Sequence, residues 1–150
     1  MTSDSDIRVY ASGLPMPEFA TPAFATPPAL SDARVAIVTT AALHRTGDEA
    51  YTNADTSYRV IEPRDRDLVM GHWSPNFDRA GFAADLNVVF PIDRLEELAG
   101  QGVIGSVAPR HFAFAGNQED TVSSIRLDSG PRAARALLAD GVDVVLLTPV

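Results

Sequence analysis

His44, His72 and His111 are the only side chains of this 150-residue sequence whose ordinary pKa lies near neutrality. Imidazoles that can hold or release a proton at pH 7 serve as proton donors, substrate orienters or metal ligands. The three stand 28 and 39 residues apart, so no pair has the local spacing of a zinc-ligand pair, and no metal site is expected. The chain has no Cys, which excludes disulfides and thiolate metal sites and leaves it without a redox thiol. Other polar residues have two readings each. Asp85 and Asn87, ahead of Phe90-Pro91, are turn residues or substrate-binding residues. Arg110, beside His111, holds an anionic substrate group or is simply solvated. Trp73 walls a pocket or fills the core. Asp93, Glu96 and Glu97 read as favourable negative charge near the start of a helix rather than as a catalytic carboxylate pair.

The elements that must position these residues follow from hydrophobic pattern. Val35 to Thr40 is a continuous apolar, β-branched run, as expected for a strand buried on both faces of a parallel sheet. Residues 43–56 are polar and turn-rich and predict a loop. Short strands are predicted over 57–61 and 67–70, with loop again over 72–84. Ile92, Leu95, Leu98 and Ala99 share one helical face, opened by Pro91 and stopped by Gly100 or Gly102. A strand over 103–107 ends at Pro109. A second helix over 131–140 stops at Gly141 and leads into the most apolar strand, 142–147. Alternation of this kind with short helix-to-strand turns predicts an α/β fold: three layers, a mainly parallel sheet with helices on both faces, Rossmann-like or flavodoxin-like. His44, His72 and His111 then each fall in a loop a few residues after a strand, at the carboxyl edge where open α/β sheets bind their ligands. The last strand has no helix after it to cover it, so the fold reads as incomplete at its C-terminus.

Composition limits the partners. Twelve basic against twenty acidic residues give a net charge of −8, which argues against nucleic acid and anionic membranes. No apolar run reaches the roughly 18 residues of a membrane span, and the first residues lack a secretory signal, so the expected location is cytoplasmic. Five of the eleven prolines fall within residues 1–30, predicting a Pro-rich arm that is neither helix nor central strand, followed by one α/β domain over 31–150. Phe19 and Phe24 suggest that the arm packs onto something. Gly100-Gln101-Gly102-Val103-Ile104-Gly105 has the letters of a dinucleotide fingerprint, but a helix precedes the glycines and a strand follows them. The fingerprint needs the reverse order, so these glycines punctuate a turn.

Two blocks carry a resemblance. Asp85-Leu86-Asn87-Val88-Val89-Phe90-Pro91-Ile92-Asp93-Arg94-Leu95 and Gly102 through Ala108-Pro109-Arg110-His111-Phe112 resemble the glycine/sarcosine/betaine reductase component B and D-proline reductase selenoprotein family. The likeness extends to Val35–His44, to Gly71-His72, to Asp140-Gly141-Val142-Asp143 and to Leu147-Thr148-Pro149. The short arm is closer to the small D-proline reductase subunit than to the longer component B. The resemblance implies reductive cleavage of a C–N bond in a small amino acid or amine, using a dithiol/disulfide couple. It implies a selenocysteine (cysteine in some relatives) just after the Leu-Thr-Pro strand end, and a substrate held on the pyruvoyl group of a partner subunit. Other reductase subunits and a thiol electron donor are the implied partners. His44, His72 and His111 would donate protons or orient substrate, with Asp85, Asn87, Arg110 and Thr148 as the substrate-binding candidates. The chain itself carries no cofactor and no redox residue. One explanation is a reading frame that continues through an in-frame UGA after Val150. The alternatives are a non-catalytic binding or assembly module on the same fold, and a His-based hydrolase or metal enzyme.

Overall fold

The computed structural model describes residues 3–13, 20–21, 24–72, 79–118 and 124–150. Strand β1 (Arg34–Thr39) is the centre of the molecule. It pairs in parallel with β7 (Val144–Thr148) along Val35–Thr39. Its other edge is shared by two short parallel strands, β5 (Ser106–Val107) and β6 (His111–Phe114). Strand β3 (Tyr58–Ile61) runs antiparallel on the far side of β6 and makes the five-stranded sheet mixed. A separate antiparallel pair joins β2 (Leu43–Arg45) to β4 (Leu68–Met70).

Alternation along β1 sends its side chains into two apolar clusters. Val35 and Ile37 join a cluster with Phe90, Ile92 and Leu95, so the apolar stripe of helix α3 (Ile92–Gly100) packs there. Ala36 joins Phe112, Phe114, Ala133 and Leu137, the last two from helix α4 (Gly130–Ala139). Both helices end in the same way. After α3, the N–H groups of Gly102 and Val103 return to the carbonyls of Ala99 and Leu98. After α4, those of Gly141 and Val142 return to Leu138 and Leu137. Gly102 (φ +71°) and Gly141 (φ +67°) occupy the left-handed position this cap requires. The G-x-G letters are therefore a helix stop.

Several expectations need correction. Residues 4–12 form a helix, α1 (Asp4–Ser12). This helix precedes the first proline, Pro15, and Ser3 and Asp6 cap it reciprocally. Phe24 is 95% exposed and packs on nothing among the described residues, while Phe19 and Trp73 lie outside them. The 43–56 segment opens with β2, and 72–84 ends with the short helix α2 (Ala80–Ala84). The strand expected over 103–107 shrinks to β5, because Val103 is used to cap α3. His44 lies within β2 and His111 is the first residue of β6, so neither is part of a loop. Among the described residues no helix is long and apolar enough to cross a membrane.

Candidate functional site

The carboxyl ends of β1, β6 and β7 meet in a network of hydrogen bonds. Thr39 Oγ1 donates to Thr148 O at 3.2 Å and accepts the Ala41 N–H at 3.2 Å. Thr40 N–H donates to the same Thr148 oxygen at 3.3 Å. Thr40 Oγ1 accepts the Val150 N–H at 2.8 Å and donates to Val150 O at 3.2 Å, so one hydroxyl grips Val150 through two hydrogen bonds. His72 Nε2 lies 3.2 Å from Val150 O. The oxygen can only accept, so the ring donates and carries its proton on Nε2. Gly116 closes this cluster. A Cβ there would lie 2.9 Å from Val150 O and 3.1 Å from Thr40 O, too close for any side chain to enter without displacing backbone.

Beside it, Ala42 is fully buried with φ +53°, the left-handed region that costs a residue with a Cβ about 1–2 kcal/mol. Its backbone is held on both sides. Its N–H donates to Phe114 O at 2.9 Å, and its carbonyl accepts from Gly71 N–H at 3.0 Å and from His44 Nδ1 at 3.1 Å. The His44 ring therefore carries its proton on Nδ1 and packs against Gly71, one residue before His72. Tyr51 supports this arrangement from below. Its hydroxyl donates to Ala113 O at 2.5 Å and accepts the Arg59 N–H at 3.2 Å, and its ring meets His44 edge-on at 5.8 Å. Burial pushes the Tyr51 phenol well up, so it stays neutral and structural.

Two of the three histidines thus flank one backbone contact, and the third does not join them. His111 is fully buried against Phe90, and its Nδ1 accepts the Ile37 N–H at 2.9 Å. Its Nε2 has no hydrogen-bond partner among the described residues, and burial lowers its pKa to about 4, so it is neutral at pH 7. Arg110 also lies away from the network. It forms a two-pronged pair with Asp140 at 2.8 and 2.7 Å, at the amino end of β6 and therefore on the opposite edge of the sheet. Its guanidinium holds the Asp140 carboxyl below the usual range.

Asp85 and Asn87 stand near the network but serve a turn. Asp85 accepts the Asn87 N–H at 2.9 Å at the start of the 3₁₀ turn Leu86–Val88. Asn87 bonds Asp93 in both directions, at 2.9 and 3.1 Å, which fixes the entry to α3. Thr148 Oγ1 donates to Val89 O at 3.0 Å and ties β7 to this turn. Thr40, Ala42, Gly116 and Tyr51 were not found by sequence reasoning. A hydroxyl pair, Thr39-Thr40, at the end of a buried apolar strand was the available signal. Among the described residues no group of three His, Asp or Glu side chains could hold a metal ion.

A profile of the family described as glycine/sarcosine/betaine reductase selenoprotein B matches residues 6–150. The chain belongs to that family. It is 38% identical over 123 residues to the D-proline reductase subunit gamma of Acetoanaerobium sticklandii, covering 79% of this chain and 49% of that one. It is 28% identical over 125 residues to the sarcosine reductase complex component B subunit beta of Peptoclostridium acidaminophilum, covering 79% of this chain and 28% of that one. The chain therefore spans about half the length of the first relative and under a third of the second. No solved structure matches it.

Proposed function

We propose that the carboxyl edge of β1, β6 and β7 is the reaction edge of an amino-acid reductase subunit. The reaction is reductive C–N cleavage in D-proline, sarcosine, glycine or betaine; of the two relatives named above, the D-proline reductase subunit shares the higher identity. The observation that carries this reading is the grip of Thr40 and His72 on Val150, at the edge where α/β sheets do their chemistry. The fold is read as a doubly wound α/β domain that works with polypeptide beyond these 150 residues, in the cytoplasm.

Breaking one C–N bond reductively takes two electrons and two protons. Carbon and nitrogen each gain a bond to hydrogen, and a pair of chalcogenols ends as a disulfide or selenenylsulfide, reduced again by an external thiol. A selenocysteine or cysteine following Val150 would supply a nucleophile that is anionic near neutral pH. Residues of this chain do the positioning. Thr40 fixes the backbone at Val150, and Gly116 lets the ends of β6 and β7 approach within reach of it. His72 holds a proton on Nε2 at this point and is placed to pass one to a leaving amine. Ala42 and Gly71, locked by His44, set the position of His72. A pyruvoyl group on a partner subunit is compatible with the donor set. The side chains that grip Val150 are the Thr40 hydroxyl and the His72 imidazole, and neither would repel the carboxylate of an amino-acid substrate.

The absence of Cys favours a second reading, a binding or assembly module that keeps the edge without the nucleophile. One reconstitution separates them. The chain is extended past Val150 by a cysteine or selenocysteine and assembled with pyruvoyl-bearing partner subunits. Thiol oxidation dependent on D-proline, sarcosine, glycine or betaine is then followed. The reductase reading predicts turnover that falls about 100-fold in His72→Ala, the usual scale for losing a proton donor. Assembly without turnover on any of the four would leave the module reading.

A further inference from the structure

Strand β7 gives one edge to β1, and among the described residues no strand takes the other. The strand is apolar on both faces. Val145 and Leu147 line a groove of about 560 Å³ together with Val38, Phe114, Ala133 and Leu137, and Leu146 points to the opposite face. Leu147 is 67% exposed and Leu138, on α4, 73%. The neighbouring β1 has similar composition and is buried through most of its length. A strand with apolar residues on both faces belongs inside a sheet covered on both sides, and β7 lacks that cover.

We infer that the free edge of β7 and this groove receive a βα unit: a strand parallel to β7 and a helix that closes over Leu147 and Leu138. The unit comes from the portion of the family's polypeptide that these 150 residues do not match. Two observations select this occupant. First, every strand paired with β1 is parallel to it, and parallel neighbours are joined through a crossover of a dozen or more residues, usually a helix. Such a crossover supplies the apolar face the groove lacks. Second, the match covers 49% of the D-proline reductase subunit gamma, so a comparable length of polypeptide lies outside it. A second copy pairing β7 about a two-fold axis would run antiparallel and bring no crossover helix. This inference concerns assembly and does not depend on the reductase chemistry.

The test co-expresses this chain with the unmatched part of the A. sticklandii subunit gamma, so that neither part has to fold alone. Complex formation is followed by sedimentation, and amide exchange is followed across residues 144–148. A one-to-one complex is expected, with those amides exchanging at least tenfold more slowly. Leu147→Asp and Leu138→Asp should each weaken it at least tenfold while leaving the isolated chain folded, since both side chains are exposed in it. No complex, or a complex that is indifferent to both substitutions, would overturn the inference. So would a concentration-dependent dimer of this chain alone that protects the same amides.

Discussion

The two edges of the sheet are built from different chemistry. At the amino edge, charges are paired and turns are closed. Arg110 grips Asp140, the Arg34 N–H donates to Asp143 at 2.8 Å, and two glycine-capped helices turn directly into strands. At the carboxyl edge the contacts around Thr148–Val150 are close. They are made by hydroxyls, imidazoles and backbone, with one buried alanine held in the left-handed region and one glycine where no Cβ fits. Partly exposed ion pairs tolerate loss because water replaces them. Close-packed contacts do not. The amino edge ties the fold together, whereas the carboxyl edge accepts strain at Ala42 beside a fixed short segment, Thr148–Val150.

Four substitutions or conditions should separate the two edges, from the largest effect to the smallest. His111, between the edges, should make the fold sensitive to acid. Its folded pKa of about 4 lies below its ordinary 6.5, so the unfolded chain binds the extra proton between these values. Stability is therefore complete above about pH 6.5 and falls as the pH drops towards 4, by on the order of 3 kcal/mol from this one group. His111→Leu loses the acceptor for the Ile37 N–H and should be less stable at pH 7, yet its urea midpoint should no longer fall over that window. Gly116→Ala should cost about 1–3 kcal/mol in urea unfolding, the usual scale for overpacking. Thr40→Val should cost about 1 kcal/mol, one hydroxyl's hydrogen bonds, in the same assay. Arg110→Gln should cost at most about 1 kcal/mol at pH 7, because the pair is partly exposed. Asp140 is held below its ordinary value, so this contribution is present above about pH 4 and fades as acid protonates the carboxyl. The Arg110→Gln difference should vanish there. Equal costs for Gly116→Ala and Arg110→Gln at pH 7 would erase the distinction between the edges.

Periodicity made β1, β3, β4, α3 and α4 legible, because each buries one side or both and writes that burial into its residue types. It missed β6, although His111-Phe112-Ala113-Phe114 is buried at every position, because a histidine after Pro109-Arg110 reads as polar loop. Here the ring substitutes for water at a buried backbone N–H, and that is invisible in a pattern of apolar and polar letters. The site was half legible. His44 and His72 stand out by residue type. Thr40 and Gly116 acquire meaning only when strands distant in sequence end side by side, and Ala42 only through a backbone angle that its type does not suggest.

The central claim is that the carboxyl edge positions the segment at Val150 for reaction. Its most direct test is the turnover of the assembled reductase, carrying the chalcogen residue after Val150, in two variants compared after each is shown to be folded. Thr40→Val removes the hydroxyl that grips Val150, and Asp140→Asn weakens the amino-edge pair. The account predicts that Thr40→Val lowers kcat at least tenfold while Asp140→Asn stays within twofold of the parent. Equal losses, or a Thr40→Val enzyme with full turnover, would contradict it.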